Sequence, residues 1–117
     1  MRGLLLVAAW FRVDEPWPAM DPWCTVPFDA AAAKANCAGR RLLCVLSDDD
    51  RYTVDYESNG AEWKARLGAE VAIVPGRRHF AGKKQAEVLS LLKEMLAAAD
   101  GCPDHIGPDP AAESAGL

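Results

Sequence analysis

The sequence predicts an α/β layered fold with parallel strands, and three observations carry that prediction. Three short apolar runs, Leu4 to Ala9, Leu42 to Leu46 and Val71 to Val74, are near-continuous rather than alternating, the pattern of strands covered on both faces. Stretches of helical character lie between and after them, so strand and helix alternate three times over. Residues capable of chemistry follow the runs, at what become the carboxyl ends of strands, where sites gather in such sheets.

Each element has its own local cause. Leu4 to Ala9 follows a single Arg2 and opens a segment that also invites reading as a secretory signal. Arg12, Asp14, Glu15 and two prolines come next in place of a small-residue cleavage site, so a buried strand is expected. After it, Trp10 to Phe28 is rich in aromatics and prolines and reads as a long loop. Asp29 is placed to cap an alanine-rich helix from Ala30 to Cys37. Tyr56, Gly60, Trp63 and Leu67 share one helical face, and Gly68 ends that helix. Val88, Leu89, Leu92, Met95, Leu96 and Ala99 form a wide apolar stripe on a helix from Lys83 to Ala99, read as core and stopped by Gly101 and Pro103.

Composition bounds the function. The chain has 117 residues and a formal net charge of −4, without the basic footprint of a nucleic-acid binder. Asp100, Asp104, Asp109 and Glu113 fall where there is no Lys or Arg, which leaves residues 1–99 neutral. That acidic Pro/Gly/Ala-rich stretch, residues 100–117, is expected to be a disordered tail in which His105 is solvated. Residues 1–99 make the structured domain. No apolar run approaches the ~20 residues needed to span a bilayer. Cys24, Cys37, Cys44 and Cys102 show neither metal-ligand spacing nor the density of a disulfide-stapled domain, so reduced thiols and a cytoplasmic location are expected, with no cofactor.

Asp48, Asp49 and Asp50 follow the second run, and His79 follows the third. An acid and a His at the ends of neighbouring strands, in that chain order, are the acid–base half of a Ser-His-Asp triad, since adjacent strands lie only ~4.8 Å apart. Three clustered carboxylates also suit a Mg²⁺ pocket. That reading needs a nucleophilic Asp-x-Asp after another strand, which is absent. Trp10, Trp17, Trp23 and Phe28 are candidates for the hydrophobic wall of a substrate pocket, and equally for simple packing of the loop onto the sheet. Pro16, Pro18 and Pro22 lack P-x-x-P spacing.

The run LLCVLSDDDRYTVDYESNGAEWKARLGAEVAIVPGRRHFAG resembles the small serine hydrolases of the retinoblastoma-binding protein 9 type within the α/β-hydrolase superfamily. Ser47, Asp50 and Tyr52 match its Ser-x-x-Asp-Pro-Tyr/Phe motif, Leu67-Gly68-Ala69 its middle motif, and His79-Phe80 its Gly-x-Gly-His-Phe ending. Asp21-Pro22-Trp23 and Lys34-Ala35-Asn36-Cys37 are similar as well, so the resemblance covers about residues 3–99. It implies a three-layer α/β/α arrangement forming the C-terminal half of an α/β-hydrolase fold, with Asp50 as triad acid and His79 as triad base. Arg51 stands where the family commonly has Pro, and Arg78 where it has Gly.

The nucleophile's G-x-S-x-G elbow does not occur, and Ser47, Ser58, Ser90 and Ser114 all lack the flanking glycines. Ala35-Asn36-Cys37-Ala38-Gly39 follows a helix instead of a strand, the reverse of an elbow. The first expectation is therefore a serine-hydrolase fragment supplying Asp50 and His79, inactive alone, whose nucleophile lies upstream of Met1 and whose substrate, once completed, is a small ester or amide. The second is a non-catalytic module that pairs with a second copy or a complementing chain through the edge strand Leu4 to Ala9.

Overall fold

The computed structural model describes residues 3–100. Three parallel strands, β1 (Gly3–Val7), β2 (Arg41–Ser47) and β3 (Glu70–Val74), form one sheet in the order β1-β2-β3. A 3-10 turn at Pro18–Met20 and helices α1 (Asp21–Cys24) and α2 (Ala30–Asn36) link β1 to β2. Helix α3 (Tyr56–Leu67) links β2 to β3, and α4 (Ala86–Asp100) follows β3. This is a mixed α/β fold, as the alternation of apolar runs and helical stretches predicts.

Because successive side chains of a strand point to opposite faces, β2 feeds two cores. Leu42, Cys44 and Leu46 pack with Trp63, Leu67 and Ala69, while Ala33 and Val71 close over them from α2 and β3. Leu43 and Val45 pack with Val74 and Met95, with Val88 and Leu91 of α4 beside them. From Leu42 to Ser47 the central strand is wholly buried, which is why it reads as an unbroken apolar run. Gly60 is needed where α3 meets β3, since a Cβ there would lie 3.2 Å from Val71.

Helix ends follow their signals. The Asp29 carboxylate accepts from the Ala32 N–H at 2.9 Å, and the Asp55 carboxylate accepts from the Ser58 N–H at 3.1 Å. Gly68 closes α3 in the left-handed region at φ 67°.

Three expectations change. β1 stops at Val7 and does not run to Ala9, because Ala8 turns out of the strand at φ 55° while its N–H still bonds the Val45 carbonyl. β1 is only partly covered and leaves Val7 exposed. The α4 stripe is not all core: Met95 is buried, but Leu89, Leu92 and Leu96 are exposed. A three-strand sheet is too narrow to cover so wide a stripe.

Among the described residues, no helix is long and apolar enough to cross a membrane. Cys24, Cys37 and Cys44 are free thiols, and burial pushes the Cys44 thiol up to about 12. The expected tail from Gly101 onward, with Cys102 and His105, lies outside the described residues.

Candidate functional site: an Asp–His pair stitched between two strand ends

The register sets the site. Ser47 and Val74 pair directly as the last residues of β2 and β3, so the chain leaves both strands side by side. Four consecutive residues on the β2 side then hold four consecutive residues on the β3 side. The Asp48 carboxylate accepts from the Gly76 N–H at 2.9 Å, and the Ser47 hydroxyl oxygen accepts from the Arg77 N–H at 3.0 Å. Asp49 Oδ1 accepts from the Arg78 N–H and also from the Ser47 hydroxyl. Last, Asp50 Oδ2 lies 2.7 Å from His79 Nδ1.

This stitch assigns each acid of the Asp48-Asp49-Asp50 run. Asp48 and Asp49 fasten the β3 loop, and Asp50 meets the imidazole. Their oxygens are spent on separate donors instead of converging on one point. Among the described residues, no group of three or more His, Cys, Asp or Glu side chains is arranged to hold a metal ion. The hydrogen bonds from the Ser47 hydroxyl and the Arg78 N–H hold the Asp49 carboxyl below its ordinary value. Further ties come from Arg77, which ion-pairs with Glu87 of α4, and from Phe80, which packs into the core beneath.

Asp50 and His79 differ sharply in exposure. Asp50 is 3% exposed, and its second oxygen accepts from the Tyr52 N–H at 2.9 Å, so both carboxylate oxygens are satisfied. The His79 side chain is 40% exposed. A buried, fully bonded carboxylate therefore fixes one ring nitrogen of a solvent-accessible imidazole and leaves Nε2 as the nitrogen available for proton transfer. Tyr52 stands edge-on to the imidazole, with ring centroids 4.8 Å apart.

A cavity of about 240 Å³ opens beside the pair, lined by Trp10, Val13, Glu15, Trp17, Met20, Tyr52 and His79. Two of the four candidate wall residues, Trp10 and Trp17, thus line the cavity that the imidazole borders. Trp17 also packs against Tyr52 at 5.9 Å between centroids. The other two lie elsewhere: Trp23, in α1, is 79% exposed, and Phe28 packs edge-on against Phe11. Cys37 caps the C-terminus of α2, before β2 begins and away from the strand ends that carry Asp50 and His79.

Asn59 is a contributor that the periodicity of α3 did not reveal. It is buried beside Gly60 and Trp63, and its amide donates to the Ala9 carbonyl at 2.8 Å and accepts from the Phe11 N–H. The Trp63 indole N–H donates to the same carbonyl. Trp10 sits between the two anchored residues. A polar residue at a buried helical position, flanked by core residues, is the signal that marks it.

The fold and site define a mixed α/β protein with a buried Asp–exposed His pair at adjacent strand ends, beside an aromatic cavity. No protein-family model, no curated protein and no solved structure matches the chain.

Proposed function

We propose that Asp50 and His79 are the acid–base half of a serine-type hydrolytic site that cleaves small esters or amides through an acyl-enzyme. The observation that carries this reading is the 2.7 Å contact between a buried carboxylate and Nδ1 of an accessible imidazole beside a cavity. In such a site His79 Nε2 removes the proton of a serine hydroxyl as its oxygen bonds to the substrate carbonyl, then returns that proton to the leaving group. Water repeats the cycle to free the acid. Asp50 holds the ring and stabilises the imidazolium. Helices packed on both faces of a sheet ordered β1-β2-β3 fit a three-layer arrangement and the C-terminal half of an α/β-hydrolase fold.

The nucleophile and oxyanion hole are then contributed by another polypeptide segment, because this sequence holds no G-x-S-x-G. Ser47, the serine nearest the pair in sequence, is fully buried and donates its proton to Asp49. The test mixes the chain with a polypeptide carrying a strand–G-x-S-x-G–helix unit and adds a serine-directed fluorophosphonate. The expected result is no labelling of the chain alone, labelling of the supplied serine in the mixture, and loss of that labelling with His79→Ala. Labelling of a serine in this chain alone overturns the proposal.

A second reading, that the chain is an interaction module pairing through β1, is favoured by one observation. Among the described residues β1 ends the sheet with β2 as its one strand partner, and α4, which packs against β1, carries the exposed Leu89, Leu92 and Leu96. The two readings are compatible when the partner is the polypeptide that brings the serine.

A further inference from the structure

Tyr52 and His79 form a wall between two cavities. On one side is the aromatic cavity with Trp10 and Trp17. On the other is a cavity of about 440 Å³ lined by Asp49, Arg51, Tyr52, Arg78, His79 and Ala81. The charges around this second cavity set it apart. Arg12 and Arg66 pair with Glu62, Arg41 with Glu70, and Arg77 with Glu87. Among the described residues, by contrast, no carboxylate forms an ion pair with Arg51 or Arg78, and the Arg78 charge reaches only Asp49, at longer range.

Both guanidiniums are preset by the structure. Arg51 Nη2 donates to the Tyr52 hydroxyl at 2.8 Å, and its guanidinium lies 4.9 Å from the centre of the Tyr52 ring. Arg78 sits at φ 52°, a left-handed conformation that costs a side-chain-bearing residue ~1–2 kcal/mol. The stitch holds it there through Asp49, with Arg77 and His79 fixed on either side. Phe80, on the other side of His79, is left-handed as well at φ 56°, so strained backbone flanks the imidazole on both sides. The one carboxylate on the wall, Asp49, has an oxygen occupied by two donors.

We propose that Arg51 and Arg78 form an oxyanion-binding subsite next to His79, and that the substrate carries a carboxylate or phosphate group together with an apolar arm. Naming a substrate rests on the hydrolytic reading; the anion subsite itself does not. The planar guanidinium fork presents two parallel N–H donors that pair with two oxygens of either anion. The apolar arm occupies the Trp10–Trp17 cavity, where Glu15 on the lining repels the charged end. His79, common to both cavities, then lies between the two ends of the ligand, where a scissile ester or amide would sit.

The test is a titration of the full chain at low ionic strength with phenylacetate, inorganic phosphate and benzylammonium, read by backbone and imidazole NMR. Phenylacetate is expected to shift Arg51, Arg78 and His79 together with Trp10 and Trp17, and phosphate to shift the first three only. Arg51→Gln combined with Arg78→Gly should weaken phenylacetate about tenfold and remove its salt dependence. Both arginines are exposed, and unchanged shifts in β2 verify the fold of the variant. Binding of benzylammonium as tight as that of phenylacetate, or phenylacetate binding indifferent to the double substitution, overturns the subsite. The hydrolytic reading fails separately: if the anions bind but the completed protein never labels, the subsite stands without it. If the completed protein cleaves neutral and anionic aryl esters equally, the hydrolytic reading stands and the subsite falls.

Discussion

His79 takes its chemical character from the atom it faces. With Asp50 Oδ2 at 2.7 Å from Nδ1, the neutral ring carries its proton on Nδ1 and leaves Nε2 unprotonated. Long-range ¹H–¹⁵N spectra should show that tautomer in the native chain and a mixture in Asp50→Asn, whose amide also offers a donor; an Nε2–H tautomer in the native chain would refute the assignment. Arg78 makes a second residue-scale prediction. Its φ of 52° suits glycine, so Arg78→Gly should leave stability unchanged or raise it by up to ~1 kcal/mol, because the relieved strain is offset by glycine's looser unfolded chain. Arg78→Val should cost ~1–2 kcal/mol, since β-branched residues tolerate that region poorly. Urea midpoints of the two variants separate these outcomes. A third concerns acid. Asp49, Glu70 and Glu87 are all held below their ordinary values, by Ser47 and Arg78, by Arg41, and by Glu87's own N–H and Arg77 respectively. A carboxyl with a lower pKa folded than unfolded contributes stability that is full above the unfolded value, ~4, and lost as pH falls through the folded value. The urea midpoint should therefore fall below about pH 4, less steeply in Asp49→Asn. Of the four residues in the stitch, Asp50 was legible from its place before Tyr52. The roles of Ser47, Asp48 and Asp49 were not, because they bond backbone N–H groups of the β3 loop, and backbone donors, unlike the His79 ring, carry no mark in the sequence.

At the scale of elements, α3 does two tasks with one face. Gly60, Trp63 and Leu67 pack on the sheet as their spacing requires, while Asn59, one step round the helix, reaches over the end of β1 to Ala9 and Phe11. Asn59→Ala leaves a half-buried carbonyl with only the Trp63 indole and a half-buried amide N–H without its acceptor, which should cost about 1 kcal/mol. It should also blue- or red-shift the tryptophan fluorescence as Trp10 loosens; an unchanged spectrum with unchanged urea midpoint would remove Asn59 from this role. The order of strands and helices, the caps at Asp29 and Gly68 and the central position of β2 were readable because each rests on local chemistry or on burial on both faces. The length of β1 and the fate of α4 were not. β1 ends because Ala8 adopts φ 55°, which alanine rarely does, and nothing in an apolar run announces it. The α4 stripe reports how much surface the helix offers, whereas burial depends on how many strands stand behind it.

At the scale of the molecule, the unburied part of that stripe and the open edge of β1 belong to one problem. Helix α4 packs back toward β1, and Met95 approaches Gly3 so closely that a Cβ there would lie 3.3 Å from its Cε. Leu89, Leu92 and Leu96 are thus exposed on the helix that lies against the strand whose outer backbone groups have no strand partner among the described residues. A parallel strand added beside β1 would satisfy those groups, and an element following it would cover the leucines. On the hydrolytic reading proposed above, the same addition would complete the Asp50–His79 pair, since an incoming parallel strand would end on the edge of the sheet where both side chains lie. Light scattering on a size-exclusion column should then show the chain associating at tens of micromolar, with Leu92→Lys combined with Leu96→Lys shifting it to monomer and weakening association at least tenfold. Because both leucines are exposed, the thermal midpoint of the variant should match that of the native chain when both are measured below the associating concentration. A native chain that elutes as a monomer at every concentration would exclude a second copy as the occupant of this edge and leave the polypeptide that brings the serine. Association that survives the lysines would place the contact on β3 instead, the other strand at an open edge of the sheet.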